Sequence, residues 1–100
     1  MRKALPQRRP SETFNVRFWN QNFAVTVGCY PDGTFGEIFI NGGKSGKHVE
    51  GTARDAAVVM SLALQHGVSL QTIRHAVTRS SNGEATSILG VIVDQLQAAS

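Results

Sequence analysis

Three observations predict an α+β fold in which a three-stranded antiparallel meander is followed by three helices packed on one face. Apolar residues recur at every second position between residues 13 and 41, and at helical spacing from residue 52 onward. Between two of the strand-like runs stands "YPDGT", a strong turn signal. Strands first and helices afterwards, in the order βββααα, imply segregated layers rather than alternating βαβ units.

The first strand is read from "TFNVRFWN", where Phe14, Val16 and Phe18 alternate with Asn15 and Arg17, and Trp19 interrupts the polar face. The second, "NFAVTVGCY", alternates Phe23, Val25, Val27 and Cys29 against Ala24, Thr26 and Gly28. The segment "NQN", residues 20–22, is the expected tight connection of this hairpin. In "YPDGT", Pro31 presets φ, Asp32 can bond the backbone and Gly33 supplies a positive φ. The third strand, residues 34–41, places Phe35 and Phe39 on one face and Ile38 and Ile40 on the other.

Small residues dominate the apolar face of the first helix, expected over about residues 52–66, so it can approach the sheet closely; Gly67 is its left-handed stop. Ser69 caps a second helix with Leu70, Ile73, Ala76 and Val77 inward and Arg74, His75 and Arg79 toward its C-terminal half. After the loop "SSNGEA", Ser87 caps a third helix carrying Ile88, Leu89, Ile92, Val93 and Leu96.

The chain has 100 residues, 41% of them hydrophobic, which suits one small globular domain. Its longest uncharged apolar stretch, residues 56–64, is far short of the roughly 20 residues of a membrane span. No apolar segment of a secretory signal follows the basic start, so a cytoplasmic protein is expected. The single cysteine, Cys29, permits no internal disulfide and reads as a small buried hydrophobe. Arg2, Lys3, Arg8 and Arg9 account for the net charge of +3, because the remaining residues hold six bases against seven acids. Residues 1–12 are therefore read as a basic, disordered arm, and residues 13–98 as a single domain. Such an arm could touch nucleic acid, but the folded body is nearly neutral and nucleic acid is ranked last among partners.

The stretch "INGGKSGKHVEG" invites comparison with a phosphate-binding loop. A P-loop needs glycine five positions before Gly-Lys-Ser/Thr. Counting back from Gly43 reaches Ile38, and from Gly46 reaches Asn41, so both registers fail; the G-x-G-x-x-G dinucleotide spacing is missing as well. What remains is a glycine loop that could hold an anion through Lys44, Lys47, the amides of Gly43, Ser45 and Gly46, and Arg54 on the following helix, or else a connection with solvated lysines. His48, His66 and His75 lack metal-ligand spacing, and no G-x-S-x-G nucleophile elbow is present. No metal, cofactor or self-sufficient catalytic set is expected.

The blocks "ALPQRR", "YPDGTFGEIFINGGKSG", "SLALQHGVSLQTI" and "ATSILGVIVDQL" resemble, in order and over nearly the whole chain, the TSCPD domain at the C-terminus of vitamin B12-dependent (class II) ribonucleotide reductases. The residues that carry the resemblance are Glu37, Phe39, Lys44, Gly46, Gly67, Thr86 and Ser87. Here Thr86 and Ser87 continue as Ile88, Leu89 and Gly90 instead of Cys-Pro-Asp, so a metal or redox role for that cysteine is not expected. Ribonucleotide reduction needs a radical cysteine, a redox cysteine pair and a barrel, which 100 residues with one cysteine do not supply. The resemblance implies a stand-alone accessory or regulatory module, not an enzyme by itself, that binds a nucleotide, a phosphate or a reductase partner. A protein-interaction domain, including a homodimer paired through a sheet face or edge, is the alternative.

Overall fold

The computed structural model describes residues 1–42 and 48–99, as two compact units, Met1–Gly67 and Val68–Ser100. Strands β1 (Ser11–Phe18), β2 (Gln21–Cys29) and β3 (Phe35–Gly42) precede helices α1 (His48–Gln65), α2 (Leu70–Ala76) and α3 (Ile88–Ala99). The chain is thus α+β, with the expected βββααα order.

In the first unit the sheet order is β1-β2-β3, antiparallel throughout. The register sets Val16 opposite Phe23, Val25 opposite Ile40 and Val27 opposite Ile38, and these six side chains are buried on one face. Each contributes about 1.5–3 kcal/mol, and a slip of one residue would turn all of them to the other face, so the register is firmly specified. A bulge between Gly28 and Cys29 ends the alternation of β2.

The first hairpin turns one residue earlier than "NQN" suggested. Phe18 pairs with Gln21, and Trp19 (φ 52°) and Asn20 (φ 59°) form a two-residue turn with both central residues left-handed. This twist matches that of the flanking strands, which favours it over a looser loop despite a strained, 80% exposed tryptophan. The second turn forms as read. Gly33 (φ 90°) donates its N–H to Tyr30 O at 2.8 Å, and Asp32 Oδ1 accepts from the Thr34 amide at 2.9 Å.

Helix α1 starts four residues before the expected position, at His48, and runs through Gly51. Glycine weakens a helix without forbidding it, and the rest of the segment propagates. The buried Ala53 and Ala57 let α1 lie close beside β3. Gly67 (φ 93°) follows the helix as its left-handed stop.

Residues 1–10 form no regular element but are held to the first unit at several points. Lys3 N donates to Gln65 O at 2.7 Å, and the Tyr30 hydroxyl donates to Lys3 O. A Cβ on Gly36 would come within 2.7 Å of both Leu5 and Tyr30, so the glycine is what lets Leu5 reach the strand. Ser11 and Glu12, expected within a disordered arm over residues 1–12, belong to β1.

In the second unit, Ser69 caps α2 by accepting from the Thr72 amide at 3.1 Å. The helix ends at Ala76, sooner than expected, because Val77 is extended (ψ 152°); Ala76 is exposed rather than inward. Arg79 consequently lies beyond the helix, where it bridges to Ala85 across the loop. Asp94 of α3 accepts from Arg74 Nε at 3.1 Å and from Arg79 Nη2 at 2.6 Å. The Arg79 hydrogen bond, with Arg74 in support, holds the Asp94 carboxyl down at about 2. Ile88, Ile92, Val93 and Leu96 are buried along α3.

Candidate functional site

Sheets expose unpaired backbone groups at their edges, and β3 is an edge strand. Two polar side chains of α1 occupy that edge. Ser61 Oγ accepts from Ile38 N at 2.8 Å, and its proton goes to Ala57 O at 2.8 Å or Ile38 O at 3.2 Å. One turn on, Gln65 Nε2 donates to Gly36 O at 2.9 Å, while its Oε1 accepts from Arg2 Nε. Helix and strand are thus joined by side-chain to backbone bonds, with the small Ala53 and Ala57 faces permitting the approach.

Above this seam a groove of about 690 Å³ opens between α1 and the second face of the sheet. Phe39, 51% exposed, stands on the strand side beside Thr26; Val58 and Leu62, one helical turn apart and both exposed, stand on the helix side. Arg54 lies at one end, with Nη2 donating to Asn41 Oδ1 at 3.0 Å, and Arg2 and Glu37 lie at the other. The groove is mainly apolar, with a cation at each end. Its volume is that of a small-ligand site.

Glu37 is only 6% exposed, although it is charged. Its side chain lies across Gly28 on the neighbouring strand, where an added Cβ would come within 2.6 Å of the carboxylate. Arg9 meets it with Nε and Nη2, the latter at 3.1 Å from Oε1. A glycine, a buried acid and an arginine from the N-terminal segment therefore form one constellation beside the groove.

Of the residues singled out from the sequence, Glu37, Phe39 and Arg54 come together here. Gly43, Lys44, Ser45, Gly46 and Lys47 lie outside the described residues. Gly67, Thr86 and Ser87 serve local structure: Gly67 ends α1, Thr86 Oγ1 bonds Thr78 O at 3.2 Å, and Ser87 Oγ accepts from the Gly90 amide at 3.1 Å as the α3 cap. Sequence reasoning missed Ser61, Gln65, Arg9 and Leu5. The one available signal was "ALPQRR", whose leucine and proline are out of place in a purely solubilising tail.

Among the described residues no group of three or more His, Cys, Asp or Glu side chains could hold a metal ion. The Cys29 thiol is pushed above its usual range by burial and then by Glu12, so it is a poor nucleophile. No helix among the described residues is long and apolar enough to cross a membrane.

The meander, the α1 seam and the Glu37 constellation make this an α+β module of one sheet and three helices, and the chain belongs to the TSCPD domain family, whose model matches residues 2–100. Among characterised proteins it is similar to vitamin B12-dependent ribonucleotide reductases. The Rhodopirellula baltica enzyme is 36% identical over 72 residues, which are 72% of this chain and 7% of that protein. The Streptantibioticus cattleyicolor enzyme is 33% identical over 72 residues, 72% of this chain and 12% of that protein. The Agrobacterium fabrum enzyme is 34% identical over 77 residues, 77% of this chain and 6% of that protein. The chain therefore spans a small fraction of the reductases it matches. No solved structure matches.

Proposed function

We propose that this chain is a non-catalytic accessory module of the ribonucleotide-reductase family that binds a nucleotide in the groove between β3 and α1. The base lies against Phe39, Val58 and Leu62, and the phosphates point toward Arg54. One observation carries this reading: an apolar groove of about 690 Å³ has an arginine at its end, where Asn41 engages one of the five guanidinium donors. Lys44 and Lys47, with the amides of Gly43, Ser45 and Gly46, are the proposed further phosphate contacts, by their place in the chain between β3 and α1. Family membership supports a reductase as the protein on which the module acts, in the cytoplasm. The single cysteine, with its raised thiol, supports binding over chemistry.

The test is a titration of dATP, ATP and inorganic phosphate followed through backbone amides. Nucleotides are expected to shift Phe39, Asn41, Arg54, Val58 and Leu62, and phosphate alone only the Arg54 end. Arg54→Ala should weaken nucleotide binding about tenfold, the loss of one charge-assisted contact. Silence at these amides with millimolar dATP, combined with shifts on adding a reductase, would replace the nucleotide with a protein partner in the same groove.

A further inference from the structure

The two edges of the sheet are finished differently. On β3 the outward groups of Gly36 and Ile38 are taken by Gln65 and Ser61. On β1, Cys29 N donates to Pro10 O, which makes residues 10 and 29 a hydrogen-bonded pair. Alternation then directs Glu12, Phe14, Val16 and Phe18 toward β2, and turns the backbone N–H and C=O groups of Ser11, Thr13, Asn15 and Arg17 outward. All four of these residues are exposed. Among the described residues nothing outside the sheet bonds to their outward groups. The strand is about 26 Å long, unbulged along its pairing with β2 and free of proline and lysine, with Glu12 and Arg17 as its two charged residues.

We infer that β1 is an interface for a second copy of this chain, paired antiparallel about a two-fold axis at Phe14. The four outward residues are symmetric about that position. Ser11 of one copy meets Arg17 of the other, and Thr13 meets Asn15, so every outward N–H and C=O finds a partner. Phe14, half-buried in one chain, meets Phe14 of the second copy at the close, non-hydrogen-bonded position, a favourable place for an aromatic pair. In this register Glu12 faces Val16 of the second copy and Arg17 faces Ser11, so no like charges stand opposite one another. A parallel arrangement would set like charge on like. The same register carries the hairpin tip to residues 9 and 10 of the second copy, where Pro10, which is exposed, offers an apolar ring to Trp19. That places a partner over the largest exposed side chain of the first unit, on a turn whose positive φ keeps it extended into solvent.

Sedimentation equilibrium on the whole chain tests the inference. The wild type is expected to approach twice 10.8 kDa as concentration rises. Trp19, the only tryptophan, should shift its emission to the blue over the same range. Thr13→Pro removes an outward N–H without touching the β1–β2 ladder, and Asn15→Pro does the same one pair further along. Each should hold the mass at 10.8 kDa with an unchanged far-ultraviolet circular dichroism spectrum. A wild type that stays monomeric overturns the inference and leaves the edge to a foreign strand. A dimer that survives in a folded Thr13→Pro or Asn15→Pro variant overturns it equally, by placing the interface elsewhere.

Discussion

Replacing Arg9 with alanine removes both donors from a carboxylate that has almost no access to water. Glu37 retains 6% of its surface, and Gly28 closes one side of it. Breaking a fully buried ion pair costs about 3–5 kcal/mol. The Arg9 side chain keeps 30% of its surface, so water can follow the lost guanidinium in, and about 2 kcal/mol is the expected loss. For a chain of this length that lowers Tm by roughly 8–15 °C. Thermal and urea melts should be recorded for the wild type, Arg9→Ala, Glu37→Gln and the double variant. Once Glu37 is neutral, the arginine matters less, and Arg9→Ala in that background should cost under about 1 kcal/mol, a coupling of at least about 1 kcal/mol. Arg8→Ala, the same charge change one residue away with no bonded partner among the described residues, serves as the control and should lie within about 0.5 kcal/mol of wild type. If Arg9→Ala behaves like Arg8→Ala, the N-terminal segment is not held through Glu37, and the reasoning fails.

Gly51→Ala should stabilise the protein by about 0.5–1 kcal/mol, read as a rise in urea midpoint, because among the described residues nothing lies within 4 Å of the new Cβ and α1 already passes through the position. Asp94 contributes stability above its unfolded value near 3.8 and loses it as pH falls toward about 2, since its folded carboxyl is depressed by Arg79 and Arg74. Asp94→Asn should cost about 1 kcal/mol near neutrality after solvent screening and flatten the stability profile between those two pH values; an unchanged acid limb would remove the pair from the account.

The strands were legible where one rule governed each residue. Phe23, Val25 and Val27 alternate because one face of β2 is buried, and that periodicity is printed in the chain. Ser69, Ser87, Gly33 and Gly67 were legible for a similar reason, because caps and left-handed turns are local chemistry. The misses arose where tertiary contacts outweighed local preference. Trp19 stands in a left-handed turn that its type disfavours, since the registry of two eight- and nine-residue strands outweighs the strain. Gly51 looked like loop because the helix around it draws on packing of Ala53 and Ala57. Of the candidate groove, Glu37 and Phe39 were marked by the family resemblance and Arg54 as a cation on the first helix, whereas Ser61 and Gln65 looked like polar interruptions of a helix. Their role depends on a strand more than 20 residues away in the chain, and no spacing rule encodes that distance.

The Ser61 hydroxyl also bears on solubility. A sheet with two open edges can add copies without limit, in the manner of a fibril, whereas a sheet with one closed edge stops after a single pairing. By occupying the outward groups of Ile38 and Gly36, Ser61 and Gln65 make growth in that direction self-terminating. A Ser61→Ala chain would be expected to show its defect first in the pellet, as concentration-dependent precipitation of folded protein, before any fall in melting temperature revealed it.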